Sequence, residues 1–196
     1  FPRKRGEGVH IYVLDSGIRT THEDFEGRAV PTLETVGGRI VECSPTDKSC
    51  ADDDFGHGTH CAGIAAGKIS GVATKSIIHA VKVTDSHGYF QLSWAVSAID
   101  WVRENAIRPA IISMSLDSFG GIGITSWTLD LAVHDAVREG IQVFVAAGNA
   151  ASAHTSGKDA CAVSPAKEPY AITVASTDKT DTRDIWSNYG SCVDIF

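Results

Sequence analysis

The chain has 196 residues, 43% of them hydrophobic and 21% charged, which is typical of one soluble globular domain spanning residues 1–196. Seventeen basic and 24 acidic residues give a net charge of −7, and Arg3-Lys4-Arg5 is the one basic cluster, so nucleic acid is excluded as an expected partner. No apolar run reaches the length of a membrane span and no signal peptide begins at Phe1, so we expect an internal or processed segment with no membrane partner.

The first predicted strand ends in a carboxylate. The apolar run from Val9 to Leu14 favours a buried strand, and Asp15-Ser16-Gly17 follows it directly. Open α/β sheets place functional groups at the carboxyl ends of their strands, although an Asp that simply begins a turn is the alternative. The polar stretch from Arg19 to Phe55 is predicted to be mostly surface loop, and its acidic end, Asp52-Asp53-Asp54, a solvated face.

The segment from Gly56 to Gly63 contains two histidines three residues apart and predicts the start of a tightly packed helix. An imidazole titrates near neutral pH, so His57, with glycine on both sides, is a candidate for proton transfer close to a substrate. A zinc site built on His57 and His60 is an alternative. Their spacing differs from the i, i+4 pair of the common helical zinc motif, and the zinc alternative leaves Asp15 unexplained.

Strands and helices alternate in the rest of the chain. The predicted strands are 77–83, 110–116, 141–147 and 171–175, and apolar residues at helical spacing follow Leu92 and Leu129. This alternation predicts an α/β fold of three layers, in which a mostly parallel sheet has helices on both faces. Right-handed crossovers would then bring the strand ends at Asp15, Leu116 and Asn149 to one edge of the sheet.

Five cysteines leave at least one unpaired if the others form disulfides. Cys43 and Cys50 lie in one turn-rich loop, whereas Cys161 and Cys192 flank a predicted strand. Two disulfides and a free Cys61 would suit a secreted protein, and five reduced thiols in a cytosolic enzyme are the alternative.

Three motifs together identify a family resemblance. The segments 12–17 (YVLDSG), 56–60 (GHGTH) and 146–149 (AAGN) resemble those of the subtilisin-like serine peptidases, in particular the proteinase K branch, and the resemblance runs from about Gly6 to Phe196. It implies a subtilisin-like fold that is incomplete at its carboxyl end. It also implies that Asp15 orients His57, that His57 is the general base and then the general acid, and that Asn149 donates to the oxyanion.

The family's nucleophile lies in a Gly-Thr-Ser motif that we expect beyond Phe196. The predicted function is therefore that of a secreted serine endopeptidase, whose activity the chain without its serine would lack. An inactive relative that binds peptides or a propeptide through the same groove is the alternative. The expected partners of a monomeric enzyme are a peptide or protein substrate and, as a further candidate, an inhibitory propeptide, with no catalytic cofactor.

In this family the substrate peptide adds a strand between two enzyme segments. The matching residues are Gly88, Tyr89 and Phe90 on one side and Ser115, Leu116 and Asp117 on the other. The family has glycine where this chain has Asp117. A carboxylate at that position either favours basic substrate residues or faces solvent.

The resemblance also implies a disulfide, a free thiol and a metal site. Cys161 and Cys192 match a disulfide of bacterial members of the branch, and Cys61 matches an unpaired, buried cysteine beside the catalytic histidine. No family disulfide corresponds to Cys43 and Cys50, which we predict to pair locally. Hard oxygen ligands suit calcium, and the residues that match a calcium site are Asp194 and, through their carbonyl groups, Pro169 and Ala171.

Overall fold

The computed structural model describes residues 4–116, 125–150, 152 and 154–196. The chain divides into two compact units, Phe1–Ser113 and Met114–Phe196. That residues 1–196 make one domain stays a prediction.

The first unit is built on a mostly parallel sheet. Its strands are β1 (His10–Asp15), β2 (Ala29–Glu34), β3 (Val41–Glu42), β4 (Ile77–Lys82) and β5 (Ala110–Met114), the last of which reaches the boundary of the unit. They lie side by side in the order β3-β2-β4-β1-β5. All neighbours are parallel except β2 and β3, which are antiparallel. The α/β, mostly parallel class predicted from the sequence is confirmed.

Helices cover both faces of this sheet. Helix α1 (His57–Ala66) places Ala62 and Ala66 against Ile11 and Val13 of β1 in one buried cluster. The residue between them in β1, Tyr12, points to the opposite face, and its hydroxyl accepts a hydrogen bond from the backbone N–H of Ile107, just beyond helix α2 (Leu92–Asn105). The first unit therefore has the three predicted layers.

Strands β2 and β3 fall where the sequence predicted mostly loop. Pro31 lowers the expectation of a strand because its backbone has no N–H to donate. The structure accommodates it at a register shift of the β2–β4 pairing between Pro31 and Leu33. The antiparallel pairing with β3 involves only Leu33 and Glu34, so Pro31 interrupts no hydrogen bond there. The prediction of a loop was wrong at this point because a bulge permits proline within a strand.

In the second unit, β6 (Gln142–Ala146) and β7 (Ile172–Val174) are parallel, and α3 (Trp127–Arg138) packs against β6. Ser126 caps α3, since its Oγ accepts a hydrogen bond from the backbone N–H of Leu129 at 3.3 Å. Short 3₁₀ helices span Glu23–Phe25, Val36–Gly38 and Ala160–Ala162. In the described part of the chain, no helix combines the length and apolarity that crossing a membrane needs.

Candidate active site

Asp15 and His57 form a hydrogen-bonded pair in the first unit. Nδ1 of His57 lies 2.7 Å from Oδ1 of Asp15. Asp15 is the last residue of β1 and only 1% of its side chain is exposed, whereas His57 begins α1 and 45% of its side chain is exposed. The pair thus combines a buried, fixed carboxylate with an imidazole whose other edge faces outward.

The glycines around His57 allow the helix to approach β1. Gly56 precedes the helix with φ = +99°, a conformation that side chains rarely adopt. A Cβ atom on Gly58 would collide with the carbonyl oxygen of Gly17 and lie 3.0 Å from Cβ of Asp15. Gly58 thus allows a close approach between the two members of the pair, and the close approach of His57 to a substrate stays a prediction.

The surroundings of the pair make the imidazole of His57 more basic. The hydrogen bond that Asp15 accepts from Nδ1 raises the pKa of His57, and the thiol of Cys61, 3.8 Å from Nδ1, raises it further, against the effect of partial burial. Oδ1 of Asp15 also accepts a 2.8 Å hydrogen bond from the backbone N–H of Ser16, while its buried Oδ2 has no hydrogen-bond partner among the described residues. A raised pKa makes His57 a stronger proton acceptor.

A zinc site on His57 and His60 is not supported. Among the described residues, the group whose potential ligand atoms lie within 4.8 Å of one another consists of Asp15, His57 and Cys61. His60 is outside this group and lines a cavity of about 480 Å³ together with residues such as Arg19. Nδ1 of His57 is already engaged by Asp15.

Asp53 does not belong to a solvated face. Its Oδ1 accepts hydrogen bonds from the backbone N–H of Gly56 and from Oγ of Ser16, both at 2.7 Å, and its Oδ2 accepts one from the backbone N–H of Thr59 at 2.8 Å. The prediction was wrong for this residue because its partners include Ser16, which lies 37 positions earlier in the chain.

The predicted substrate-binding residues fall in both units. In the first, Gly88, Tyr89 and Phe90 follow β4 in a turn where Asp85 Oδ1 accepts hydrogen bonds from two backbone N–H groups, and Tyr89 is 75% exposed. A Cβ on Gly88 would lie 2.9 Å from the ring of Phe55, which therefore flanks this turn.

In the second unit, Ser115 is exposed and Leu116 is buried, and both follow β5 directly. Asp117 lies outside the described residues. The pairing of these segments with a substrate peptide stays a prediction.

Asn149 is an exposed residue of the second unit that follows β6 and Gly148. The backbone around it is held by Asn188, which the sequence did not single out. The side chain of Asn188 donates to the carbonyl of Ala147 at 2.8 Å, and its backbone N–H donates to Gly148 at 3.0 Å. The backbone of Asn149 itself forms an isolated antiparallel β-bridge with Ser187. The motif Ser187-Asn188 was visible in the sequence only as part of the family resemblance.

The structure contains both predicted disulfides. Cys43 is bonded to Cys50 and Cys161 to Cys192, and Cys61 is a free, half-buried cysteine.

At the predicted calcium site, Oδ2 of Asp194 accepts a 2.8 Å hydrogen bond from the backbone N–H of Thr173. This contact anchors the carboxylate beside β7, the strand that follows Pro169 and Ala171. Carboxylate and carbonyl oxygens are the ligand types that calcium prefers, and calcium binding by these residues stays a prediction.

Comparisons with known proteins agree on one family. A model of the subtilase family matches residues 6–196. The chain is 40% identical to an extracellular serine proteinase of a Thermus species, over 97% of this chain and 42% of that protein. It is 43% identical to subtilisin-like protease 1 of Pseudogymnoascus destructans, over 97% of this chain and 43% of that protein. A crystal structure of a cold-adapted subtilisin-like serine proteinase superimposes with a TM-score of 0.86 at 38% identity, covering 100% of this chain and 64% of that one.

Proposed function

The chain belongs to the subtilase family, and we propose that it carries the acid and the base of the Asp-His-Ser triad of a secreted serine endopeptidase. The observation that carries this proposal is the 2.7 Å hydrogen bond between His57 Nδ1 and Asp15 Oδ1. The family order of Asp, then His, then Ser agrees with these two positions, and the serine is expected beyond Phe196.

The proposal concerns the complete protein. The chain spans 42% and 43% of the length of the two curated relatives described above. Peptide hydrolysis, its substrates and its partners are therefore proposed for the complete protein, and not for these 196 residues by themselves.

Asp15 and His57 would divide the proton chemistry between them. Because Asp15 accepts a hydrogen bond from Nδ1–H of His57, the proton of the neutral imidazole stays on Nδ1 and the lone pair of Nε2 can take the proton of a serine hydroxyl as the serine oxygen bonds to the peptide carbonyl carbon. His57 then gives this proton to the departing amine when the C–N bond breaks. The side-chain amide of Asn149 would donate a hydrogen bond to the oxyanion. In subtilisin, loss of the corresponding donor costs about 10²–10³ in turnover.

The substrate class is an extended peptide or protein. We propose that the segments 88–90 and 115–117 each contribute to its binding, with backbone groups providing affinity and side-chain pockets specificity. Asp117 either selects basic substrate residues or faces solvent. Hydrolysis rates of peptides with lysine or leucine at each substrate position distinguish the two. Equal rates at every position, and no change in Asp117→Gly, would leave Asp117 facing solvent.

We also propose a structural calcium ion held by Asp194 and the carbonyl groups of Pro169 and Ala171. When bound, the ion would supply a positive charge that ties Asp194 to the segment before β7. Calcium should then raise the melting temperature of the protein but not of Asp194→Asn. An equal rise in both proteins would exclude this site.

Secretion and a monomeric state complete the proposal. Two disulfides support an oxidising compartment, and one relative is named an extracellular proteinase. An inhibitory propeptide remains a candidate partner. Culture fractionation followed by light scattering tests both points, and intracellular retention of the protein would contradict secretion.

Peptidase assays of the complete protein test the proposed roles. In subtilisin, loss of the histidine costs about 10⁶ in kcat and loss of the aspartate about 10⁴, so we expect losses of that order for His57→Ala and Asp15→Asn. The matched control is His60→Ala, an exposed histidine of the same helix, which should keep wild-type activity. Activity that survives in His57→Ala would contradict the proposal, and a folded wild-type protein without activity would favour the inactive, peptide-binding relative.

A further inference from the structure

Asp53 lies in the loop between β3 and α1, and it fixes the start of α1. Four of its contacts go to that start. Oδ1 accepts hydrogen bonds from the backbone N–H groups of Phe55 and Gly56, at 3.1 and 2.7 Å. Oδ2 accepts from the backbone N–H of Thr59 at 2.8 Å and from its hydroxyl at 2.5 Å. Since Gly56 has no side chain to cap the helix, Asp53 performs that task from outside it.

A fifth contact links Asp53 to the residue after Asp15. The hydroxyl of Ser16 donates to Oδ1 of Asp53 at 2.7 Å and accepts a hydrogen bond from the backbone N–H of Gly58 at 2.9 Å. Ser16 also donates its own backbone N–H to Oδ1 of Asp15 at 2.8 Å. Ser16 is 1% exposed, so water does not compete for these bonds.

Lys82 holds the same segments together from the sheet. It lies beside Asp15 in the β1–β4 pairing, and its side chain is 10% exposed. Its Nζ donates to the carbonyl oxygens of Ser16 at 2.7 Å and Asp52 at 2.9 Å and lies 3.4 Å from Oδ2 of Asp54. The turn after Asp15 is therefore fixed on one side by Lys82 and on the other by Asp53.

We propose that Asp53, acting through Ser16, is a positioning residue that sets the distance and orientation between Asp15 and His57. A helix cap alone would require only the bonds to the backbone of α1. The additional bond to Ser16 connects the two elements that bring the pair together, β1 and α1. The inference rests on the proposed function in one respect, namely that this pair is the catalytic one.

The change Asp53→Asn should disturb the pair while keeping the size of the side chain. An amide has one acceptor oxygen, whereas both oxygens of Asp53 accept several hydrogen bonds, so the NH₂ group must face either Thr59 or Ser16. Ser16→Ala removes the link to Asp53 but leaves the bonds of Asp53 to α1 in place. Asp178→Asn is the matched control, because Asp178 likewise accepts from backbone N–H groups and a threonine hydroxyl, but in the second unit.

The readout is ¹⁵N NMR of histidine-labelled complete protein, which reports the Nδ1–H proton of His57 and its titration. In Asp53→Asn and in Ser16→Ala we expect the Nδ1–H signal to broaden through exchange. We also expect the titration midpoint of His57 to fall by about one pH unit, since a contacting carboxylate shifts a pKa by about 1–3 units. Asp178→Asn should give the wild-type spectrum.

The proposal is overturned if the signal and midpoint of His57 are unchanged in folded Asp53→Asn, or if Asp178→Asn changes them equally. If Asp53→Asn does not fold, Ser16→Ala decides by the same criterion. The measurement needs no peptidase activity. A protein that shows the expected changes without hydrolysing peptides would contradict the proposed function alone, and one that hydrolyses peptides without the changes would contradict the positioning role alone.

Discussion

Gly58 determines how closely α1 can approach β1. Its missing Cβ leaves room for Asp15, the last residue of β1, and for the carbonyl oxygen of Gly17 in the turn that follows. Backbone atoms cannot move aside as a flexible side chain can, so any larger residue at position 58 forces the helix away from the strand. The Asp15–His57 hydrogen bond therefore depends on Gly58, although Gly58 has no functional group that could react.

We expect Gly58→Ala to lower the free energy of unfolding by about 1–3 kcal/mol, the usual cost of overpacking. The matched control is Gly63→Ala in the same helix, where the added Cβ would lie 3.5 Å from Oγ of Ser70, an ordinary contact. There the helix propensity of alanine should keep or raise stability by up to about 1 kcal/mol. Guanidinium denaturation measures both, and equal stability of the two variants would show that position 58 has room.

His79 is a buried histidine that the proposed chemistry does not use. Its Nε2 lies 2.8 Å from Nδ1 of His10, its Nδ1 lies 3.0 Å from the hydroxyl of Thr32, and its ring stacks on Tyr12 at 4.2 Å. Burial, and then His10, lower the pKa of His79 from 6.5 to about 4. Between these values the unfolded chain binds a proton that the folded protein does not, so stability falls as pH falls through this window.

The loss attributable to His79 between pH 7.5 and pH 4 is about 3 kcal/mol, from 1.36 kcal/mol per pKa unit. We expect His79→Gln to lose less stability over this range by about that amount, although its stability at pH 7.5 is itself lower. His154→Gln, at an exposed histidine, is the control and should follow the wild type. Urea denaturation at the two pH values measures the difference. Parallel curves for wild type and His79→Gln would show that His79 is protonated equally in both states.

The sequence predicted the two residues of the pair but not what holds them. Asp15 and His57 follow recognisable local patterns, a strand end and a glycine-flanked helix start. Asp53 and Ser16 are 37 positions apart, and a hydrogen bond between such distant residues leaves no local pattern. The contact of Asn188 was not predicted for the same reason, since its partner Ala147 lies 41 positions earlier.

At the scale of elements, the two disulfides close loops of very different length. Cys43 and Cys50 are 7 positions apart, whereas Cys161 and Cys192 are 31 apart, and Cys192 packs against the buried cluster of the second unit that contains Ala147. Loop-closure entropy predicts a stabilisation of about 2.4 kcal/mol for the shorter loop and about 3.7 kcal/mol for the longer.

We therefore expect the double variant Cys161→Ser/Cys192→Ser to lose about 1.3 kcal/mol more stability than Cys43→Ser/Cys50→Ser. Guanidinium denaturation under non-reducing conditions measures both. Equal losses, or a larger loss for the shorter loop, would mean that local packing and not chain entropy sets the contribution of each bond.

The elements that the sequence predicted well have strong periodic patterns. Strands β1, β4, β5 and β6 are mostly apolar runs, and α2 and α3 show helical spacing. Strands β2 and β3 were missed because the segment is polar and contains Pro31, and because β2 pairs with β4, a strand more than 40 residues later. Local propensity carries no information about such a partner.

For the whole molecule, the comparisons and the motifs agree on the family, and the pair lies entirely within the first unit. The chain covers two thirds or less of each relative described above, and we expect the nucleophile in the complete protein. The decisive group is therefore one serine whose reactivity we expect to depend on His57.

A fluorophosphonate probe tests this claim most directly, with intact mass and peptide mapping of the complete protein as the readout. We expect one adduct per chain, on a serine beyond Phe196. This adduct should form equally fast in the wild type and in His60→Ala, and far more slowly in His57→Ala. Absence of an adduct on the folded protein, or labelling of His57→Ala at the wild-type rate, would contradict it.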